Sequence, residues 1–244
     1  MIYILLPAYN EEKNLLKILE KIERLVDRER LKITVVLIDD CSTDNSIRFK
    51  NYKSNFRLLY KAHKKNSGLS ITMETGFKII NEIANDEDIV ITLDSDNTHP
   101  IEIISGMFKE IKNSNDIVIA SRFQKNSKVK GVTFFRLIMS YGAKYLFKLF
   151  YPFKNLNDYT CNFRAYKFYL IKKILKDKTF FKNEDFNIAA KIIIFLTNSF
   201  NSVNLKEIPF ILGYDKKIGK SKMKIMKTIF LTLKLIIFKK FLNN

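Results

Sequence analysis

Short apolar runs that end abruptly in polar residues constrain this chain most. "IYILLPAY", "KITVVLID", "FRLLYKA", "DIVITLDSD" and "DIVIASRF" follow one another through the first half. Nearly continuous aliphatic runs of this length read as strands covered on both faces, which is how parallel strands read. Between them lie segments of helical period. Leu15, Ile18, Leu19, Ile22, Leu25 and Val26 predict a helix reaching about Arg28, with Asn10 as its cap and Glu11 and Glu12 in its first turn. "STDNSIRFKNY", capped by Ser42 or Thr43, "ITMETGFKIINEI" and "HPIEIISGMFKEIKN" predict further helices. Strands alternating with helices imply an α/β fold, a mostly parallel Rossmann-like sheet flanked by helices. Ligands of such sheets sit beyond the carboxyl ends of the strands. Tyr9-Asn10-Glu11, Asp39-Asp40, Asp94 to Asp96 and Ser121-Arg122 each follow a strand, so four strand ends converge on one site.

The second half is less regular. "FFRLIMSYGAKYLFKLFYPF" predicts an aromatic-rich helix, "LNDYTCNFRAYK" a polar loop entering another helix, and "NEDFNIAAKIIIFLT" a helix. "VNLKEIPFILGY" predicts a last strand. Residues 1–222 are expected to form one domain, and 223–244 a basic amphipathic helix.

Carboxylates at the mouth of a core need a partner, because desolvating an unpaired charge is costly. Asp94 and Asp96, with Ser95 between them, suit a hard divalent cation. Mg²⁺ or Mn²⁺ takes one or two carboxylates and completes its shell with phosphate oxygens and water. Asp39-Asp40 suits a second metal pair or a reader of ribose hydroxyls and a base N–H. Neither G-x-G-x-x-G nor G-x-x-x-x-G-K-[ST] occurs, which removes the main support for dinucleotide and P-loop readings. His99, beside the acids, is expected as a weak ligand or a support behind them, and His63 as an ordinary surface residue. Cys41 and Cys161 lack metal-ligand spacing and fit a reducing compartment. The N-terminus reads as a strand and not as a signal peptide, so a cytoplasmic protein is expected.

Lys and Arg number 43 against 25 Asp and Glu, a net charge of +18, so an anionic partner is expected. Nucleic acid is disfavoured. There is no helix-turn-helix or stacking aromatic motif, and acids at the strand ends would repel phosphates unless a metal intervened.

The ordered set "LPAYNEE", "IDDCSTD", "NSGLSITMETGF", "LDSDNTHP", "IASRF", "DYTCNFRAYK" and "GKSK", spanning about Ile2 to Lys222, resembles the GT-A glycosyltransferases of family 2. The most similar subgroup is the dolichol- and polyprenyl-phosphate mannosyl- or glucosyltransferases. The resemblance implies that Pro7, Ala8, Tyr9 and Glu11 wall a nucleotide and that Ile38 and Asp40 contact its base and ribose. Asp94, Ser95 and Asp96 would bind metal and diphosphate, with Thr98 as third metal position, where the family often has Gln. Arg122 would approach the sugar phosphate. Lys216, where the family usually has Arg, and Lys222 would close on the diphosphate. Arg136 and Ser140 would meet a lipid phosphate, whereas Asp158 and Arg164 would hold their loop. The implied reaction is inverting, metal-dependent hexose transfer from a GDP- or UDP-sugar to polyprenyl phosphate. The alternative acceptor is a glycan hydroxyl, with Asp185 as general base.

The tail "KSKMKIMKTIFLTLKLIIFKKFLNN" is too broken by lysines to span a membrane of about 20 residues' thickness. Lys220, Lys224, Lys227 and Lys234 fall along one side, an interfacial pattern suited to anionic headgroups on the cytoplasmic face. The other expected cover is this protein's own body or a membrane-anchored partner subunit.

Overall fold

The computed structural model describes residues 1–182, 187–200, 202–219 and 228–235. In chain order come β1 (Ile2–Ala8), α1 (Glu12–Glu29), β2 (Ile33–Asp39), β3 (Arg57–Ala62), α2 (Leu69–Asn81), β4 (Ile89–Thr92), α3 (Ile104–Lys112) and β5 (Ile117–Ser121). There follow β6 (Lys128–Lys130), α4 (Phe134–Phe150), β7 (Arg164–Lys167), α5 (Phe168–Leu175), α6 (Ile188–Ser199), β8 (Leu205–Pro209) and β9 (Ile211–Gly213). The main sheet runs β3-β2-β1-β4-β7-β5-β8, and β6 pairs with β9 in a small second sheet. Every pair in the main sheet is parallel except those made by β7. Because β7 is antiparallel to both β4 and β5, those two point the same way. The carboxyl ends of β1, β2, β4 and β5 therefore share one edge.

Side chains alternate across a strand, so β1 feeds two cores. Ile2, Ile4 and Leu6 pack with Leu15, Ile18 and Ile22 of α1 and Ile104 and Met107 of α3. Tyr3 and Leu5 pack on the opposite side with Met73, Phe77 and Ile80 of α2 and with α5 and α6. Gly76 lets α2 approach β1 closely: a Cβ there would lie 2.1 Å from Leu5 Cδ1. Leu5 is fully buried, so Gly76→Ala is expected to cost about 1–3 kcal/mol through overpacking, despite better helix propensity. Urea unfolding measures this; an unchanged midpoint would contradict it.

The α/β expectation is met, with local corrections. "RAYK" is a strand and not loop. Its signal is hidden because Arg164, a charged residue, stands inside the sheet, fully buried. The guanidinium donates to the carbonyls of Ala189 and Tyr159 at 2.6 and 2.7 Å, which is what makes that burial tolerable. "VNLKEIPFILGY" breaks at Phe210, so β8 and β9 join different sheets. Asn10 does not cap α1. It adopts φ 52°, and its Oδ1 accepts from the Thr43 N–H at 2.7 Å, tying the first strand end to the second. After β2 there is only a 3₁₀ turn, Asn45–Asn51, capped by Asp44 through the Ser46 N–H and not by Ser42 or Thr43. Of the tail, residues 228–235 are helical. They dock through buried Leu235, whose carbonyl accepts from Tyr151 Oη at 3.2 Å, and through the Thr232 hydroxyl, which lies 3.0 Å from Asn187 Oδ1. Lys220, Lys224 and Lys227 lie outside the described residues.

Candidate functional site

The sheet edge gathers the acids. Pro7 pairs in register with Ile38 and Ala8 with Asp39, so the proposed nucleotide walls are neighbours at the ends of β1 and β2. All four are buried, as are Asp40 and Glu11, and Tyr9 is half-buried. Both carboxylate oxygens of Asp40 meet groups of the protein. Its Oδ1 lies 2.8 Å from the Ser67 N–H and 2.8 Å from His63 Nδ1, and its Oδ2 accepts from the Gly68 N–H at 2.8 Å. It thus anchors the start of α2. His63 is not an ordinary surface residue: its Nε2 reaches Thr75 Oγ1 at 2.9 Å, bridging Asp40 to α2. A histidine among charged loop residues carries no sequence signal of such a contact. Asp39 accepts from Ser42 N–H and Tyr60 Oη, each at 2.8 Å.

Asp94 and Asp96 follow β4 in a turn where Asn97 takes φ 62°. The Asp94 N–H donates to His99 Nδ1 at 3.3 Å, and its Oδ1 accepts from Asn162 at 3.2 Å. His99 is buried against Phe163 and Phe210. Burial, with the charge of Asp96 added, raises the Asp94 carboxyl above the ordinary carboxylate range. Burial acts against ionised Asp96, but the Lys217 ammonium, His99 and the Thr98 hydroxyl together outweigh it and hold that carboxyl low. The Lys217 ammonium donates to Asp96 Oδ2 at 2.7 Å. The Thr98 hydroxyl donates to Asp96 Oδ1 at 2.7 Å, so Thr98 orients the carboxylate.

Lys217 is the residue the sequence did not single out. In "DKKIGKSK" two lysines stand side by side, and only the turn Tyr214–Lys216 decides which one points inward. Lys216 is exposed, with its carbonyl accepting from Asn97 Nδ2 at 3.5 Å. The strap is tied down at both ends. The Gly213 N–H donates to the Thr98 carbonyl at 3.0 Å, and the Asn14 amide exchanges hydrogen bonds with the Ile218 backbone at 3.0 and 3.1 Å.

Arg122, at the end of β5, is committed to the protein. Its Nε and Nη2 donate to the two oxygens of Asp158 at 2.8 and 2.6 Å, and Nη2 also donates to Thr160. Asp158 is wholly buried, which alone would raise its carboxyl. The Arg122 guanidinium and the Arg122 and Cys161 N–H groups together outweigh that and hold it below the usual range. Glu207 of β8 accepts from the Asn157 and Asp158 N–H groups at 2.7 and 2.6 Å, completing the clamp. Asp158 and Arg164 therefore do hold this loop. Burial pushes the Cys161 thiol in it up to about 12, so it is a packing group and not a nucleophile.

Arg136 on α4 lies 5.4 Å from the centre of the Tyr214 ring, which Lys217 Nζ also approaches at 5.9 Å. Gly131 (φ +72°) lets the turn before α4 touch the Asp215 backbone, where a Cβ would come within 2.6 Å. Arg136 and Lys217 thus approach the same ring. The Ser140 hydroxyl, one turn along, is buried with no hydrogen-bond partner among the described residues. Only Phe147 of α4 is buried, whereas Phe134, Phe135 and Leu149 are 77%, 58% and 73% exposed. Ile138, Tyr141 and Tyr145 are exposed with them, and Lys144 lies against the rings of Tyr141, Tyr145 and Phe123.

The donor set at Asp94 and Asp96 is all hard oxygen, and the Ser95 hydroxyl there is buried without a hydrogen-bond partner among the described residues. Among the described residues no group of three or more His, Cys, Asp or Glu could cage a metal. Such a set fits Mg²⁺ or Mn²⁺ shared with phosphate oxygens and does not fit a structural metal. Asp185 and Lys222 lie outside the described residues.

A family model described as "Glycosyl transferase family 2" matches residues 3–175. The chain is 29% identical over 229 residues to the dolichol-phosphate mannosyltransferase of Pyrococcus furiosus, covering 93% of this chain and 60% of that protein. It is 26% identical over 176 residues to the undecaprenyl-phosphate 4-deoxy-4-formamido-L-arabinose transferase of Proteus mirabilis, covering 71% of this chain and 51% of that protein. The chain therefore spans little more than half the length of these relatives. Among solved structures it resembles glucosyl-3-phosphoglycerate synthase from Mycobacterium tuberculosis in complex with Mn²⁺, UDP and glucosyl-3-phosphoglycerate. The TM-score is 0.66 and the identity 15%, over 97% of this chain and 77% of that one, a likeness of fold.

Proposed function

Because the chain belongs to glycosyl transferase family 2 and has the GT-A fold, we propose that it transfers a hexose, with inversion, from a GDP- or UDP-sugar to a polyprenyl phosphate at a membrane surface. The observation that carries this reading is the exposed apolar face of α4 beside Arg136. A contiguous aromatic and aliphatic face edged by lysines suits the boundary of an anionic bilayer. A water-soluble acceptor would need no such face. No helix among the described residues is long and apolar enough to cross a membrane, and α4 would lie on one instead. Two relatives named for dolichol-phosphate and undecaprenyl-phosphate support the same acceptor class.

In this mechanism Pro7, Ala8 and Ile38 back the nucleotide, while Asp40 holds the turn that opens α2 and so shapes the pocket wall. Asp94 and Asp96 would hold Mg²⁺ or Mn²⁺, which when bound would supply Lewis-acid neutralisation of the leaving diphosphate. The acceptor phosphate is already ionised near neutral pH, so it needs positioning more than deprotonation. Arg136 draws its oxygen toward the anomeric carbon. That oxygen forms the new bond as the bond to the nucleoside diphosphate breaks. Arg122, paired with Asp158, shapes the loop behind the sugar.

The test supplies radiolabelled GDP-mannose or UDP-glucose with polyprenyl phosphate in anionic vesicles. Label is expected in the organic phase, and Phe134→Asp with Phe135→Asp is expected to lose at least about tenfold in vesicle cosedimentation, since the two rings carry much of the apolar area. Label confined to water-soluble product would overturn the lipid acceptor.

A further inference from the structure

Lys217 holds a position that a bound cation would contest. Its ammonium sits 2.7 Å from Asp96 Oδ2, and both side chains are largely covered. Two acids two residues apart at a strand end repel each other unless a cation intervenes, and the chain supplies one from a distant strap. A divalent cation drawn to the same oxygen would meet the ammonium as a like charge at close range. The strap backbone is held on both sides of Lys217, Gly213 being tied to Thr98 and Ile218 twice to Asn14. The lysine stem, however, is flexible and ends in three donors, so the ammonium can leave Asp96 while the backbone stays in place.

We propose that Lys217 is the resident counter-cation of Asp96 and that it yields the carboxylate to a divalent cation only when a diphosphate takes up its ammonium. This rests on the transferase reading and adds a binding order to it. Lys217 is a positioning residue that couples the two ligands. Its ammonium pairs with Asp96 in the empty site and with diphosphate oxygens in the filled one. The two cations thereby stop competing for one oxygen and share one polyanion. Coupling is reciprocal, so diphosphate tightens metal binding by the same factor as metal tightens diphosphate binding. It follows that the chain binds metal weakly alone and does not hold it between turnovers.

The test measures Mn²⁺ binding to the full chain by the electron paramagnetic resonance signal of free Mn²⁺, with and without saturating GDP or UDP. Wild type is expected to bind Mn²⁺ at least about tenfold more tightly with the nucleotide that it accepts. Lys217→Met is expected to bind Mn²⁺ alone at least about fivefold more tightly than wild type, to bind nucleotide alone more weakly, and to lose most of the coupling. Lys217→Arg keeps the charge and is expected to keep the wild-type coupling; melting curves check that both variants fold. Unchanged or weaker Mn²⁺ binding by Lys217→Met without nucleotide overturns the proposal. So does coupling in Lys217→Arg as low as in the Met variant. Either result leaves the transferase reading standing if wild type binds Mn²⁺ with nucleotide. Failure of wild type to bind Mn²⁺ under both conditions overturns both.

Discussion

Asp96→Ala is expected to lower turnover by at least about a thousandfold while leaving a folded chain, because removal of a group that stabilises transition-state charge costs on that order. Asp96 is the acid on which the site converges. One oxygen takes Lys217 and the other takes the Thr98 hydroxyl and N–H. Its loss removes half of the carboxylate pair proposed for the metal and strands the Lys217 ammonium, which can swing toward solvent on its long stem. The fold is expected to survive because Asp96 lies in a turn beyond β4 and contributes nothing to the strand ladders. Asp96→Asn keeps the Thr98 contacts and isolates the charge; it is expected to lose nearly as much. The checks are kcat at saturating nucleotide-sugar and circular dichroism. Activity within tenfold of wild type in either variant would contradict the site.

The second large effect is on stability. Asp158→Ala is expected to cost about 3–5 kcal/mol, since removing one partner of a buried pair leaves the other uncompensated. Besides the Arg122 guanidinium, Asp158 accepts from the Arg122 and Cys161 N–H groups, each at 3.0 Å. Arg122→Ala is expected to cost a comparable amount, and the double variant little more than either single one, because both remove the same interaction. The sign with pH follows from the depressed Asp158 carboxyl. The pair's contribution is fully present above the ordinary aspartate range near 4 and is lost as pH falls through the lower folded value. Wild-type stability should therefore fall on acidification below about pH 4 more steeply than that of Asp158→Asn. Urea unfolding as a function of pH measures this. A cost below 1 kcal/mol at neutral pH would mean that Arg122 is held by something other than Asp158, and would return it to the substrate side.

Much of this architecture is legible in the primary structure because period and polarity are local properties. The apolar runs of β1, β2, β4 and β5 and the helical spacing of α1 need no knowledge of the fold. Their polar termini then mark the ligand edge, since parallel strands place their carboxyl ends together. Where reading failed, long-range satisfaction had overridden local pattern. Arg164 is a strand residue because carbonyls of Ala189 and Tyr159 receive its charge. His63 is structural because Asp40 and Thr75 flank it. Asn10 spans two strand ends instead of capping its own helix.

The carboxylate pair after β4 illustrates the division. The order of residues alone determines that two acids leave a buried strand together, because apolar burial dictates where that strand ends. It also determines that the acids require positive charge. Which cation meets them was decided by tertiary structure: Lys217, 121 residues away, is aimed at Asp96 while its neighbour Lys216 faces solvent. The same holds for Arg122, whose guanidinium is directed to Asp158 by a loop that Glu207 clamps from β8. Charge pairing acts through space and is indifferent to distance along the chain, so composition announces the need for a partner and only the packed fold selects it.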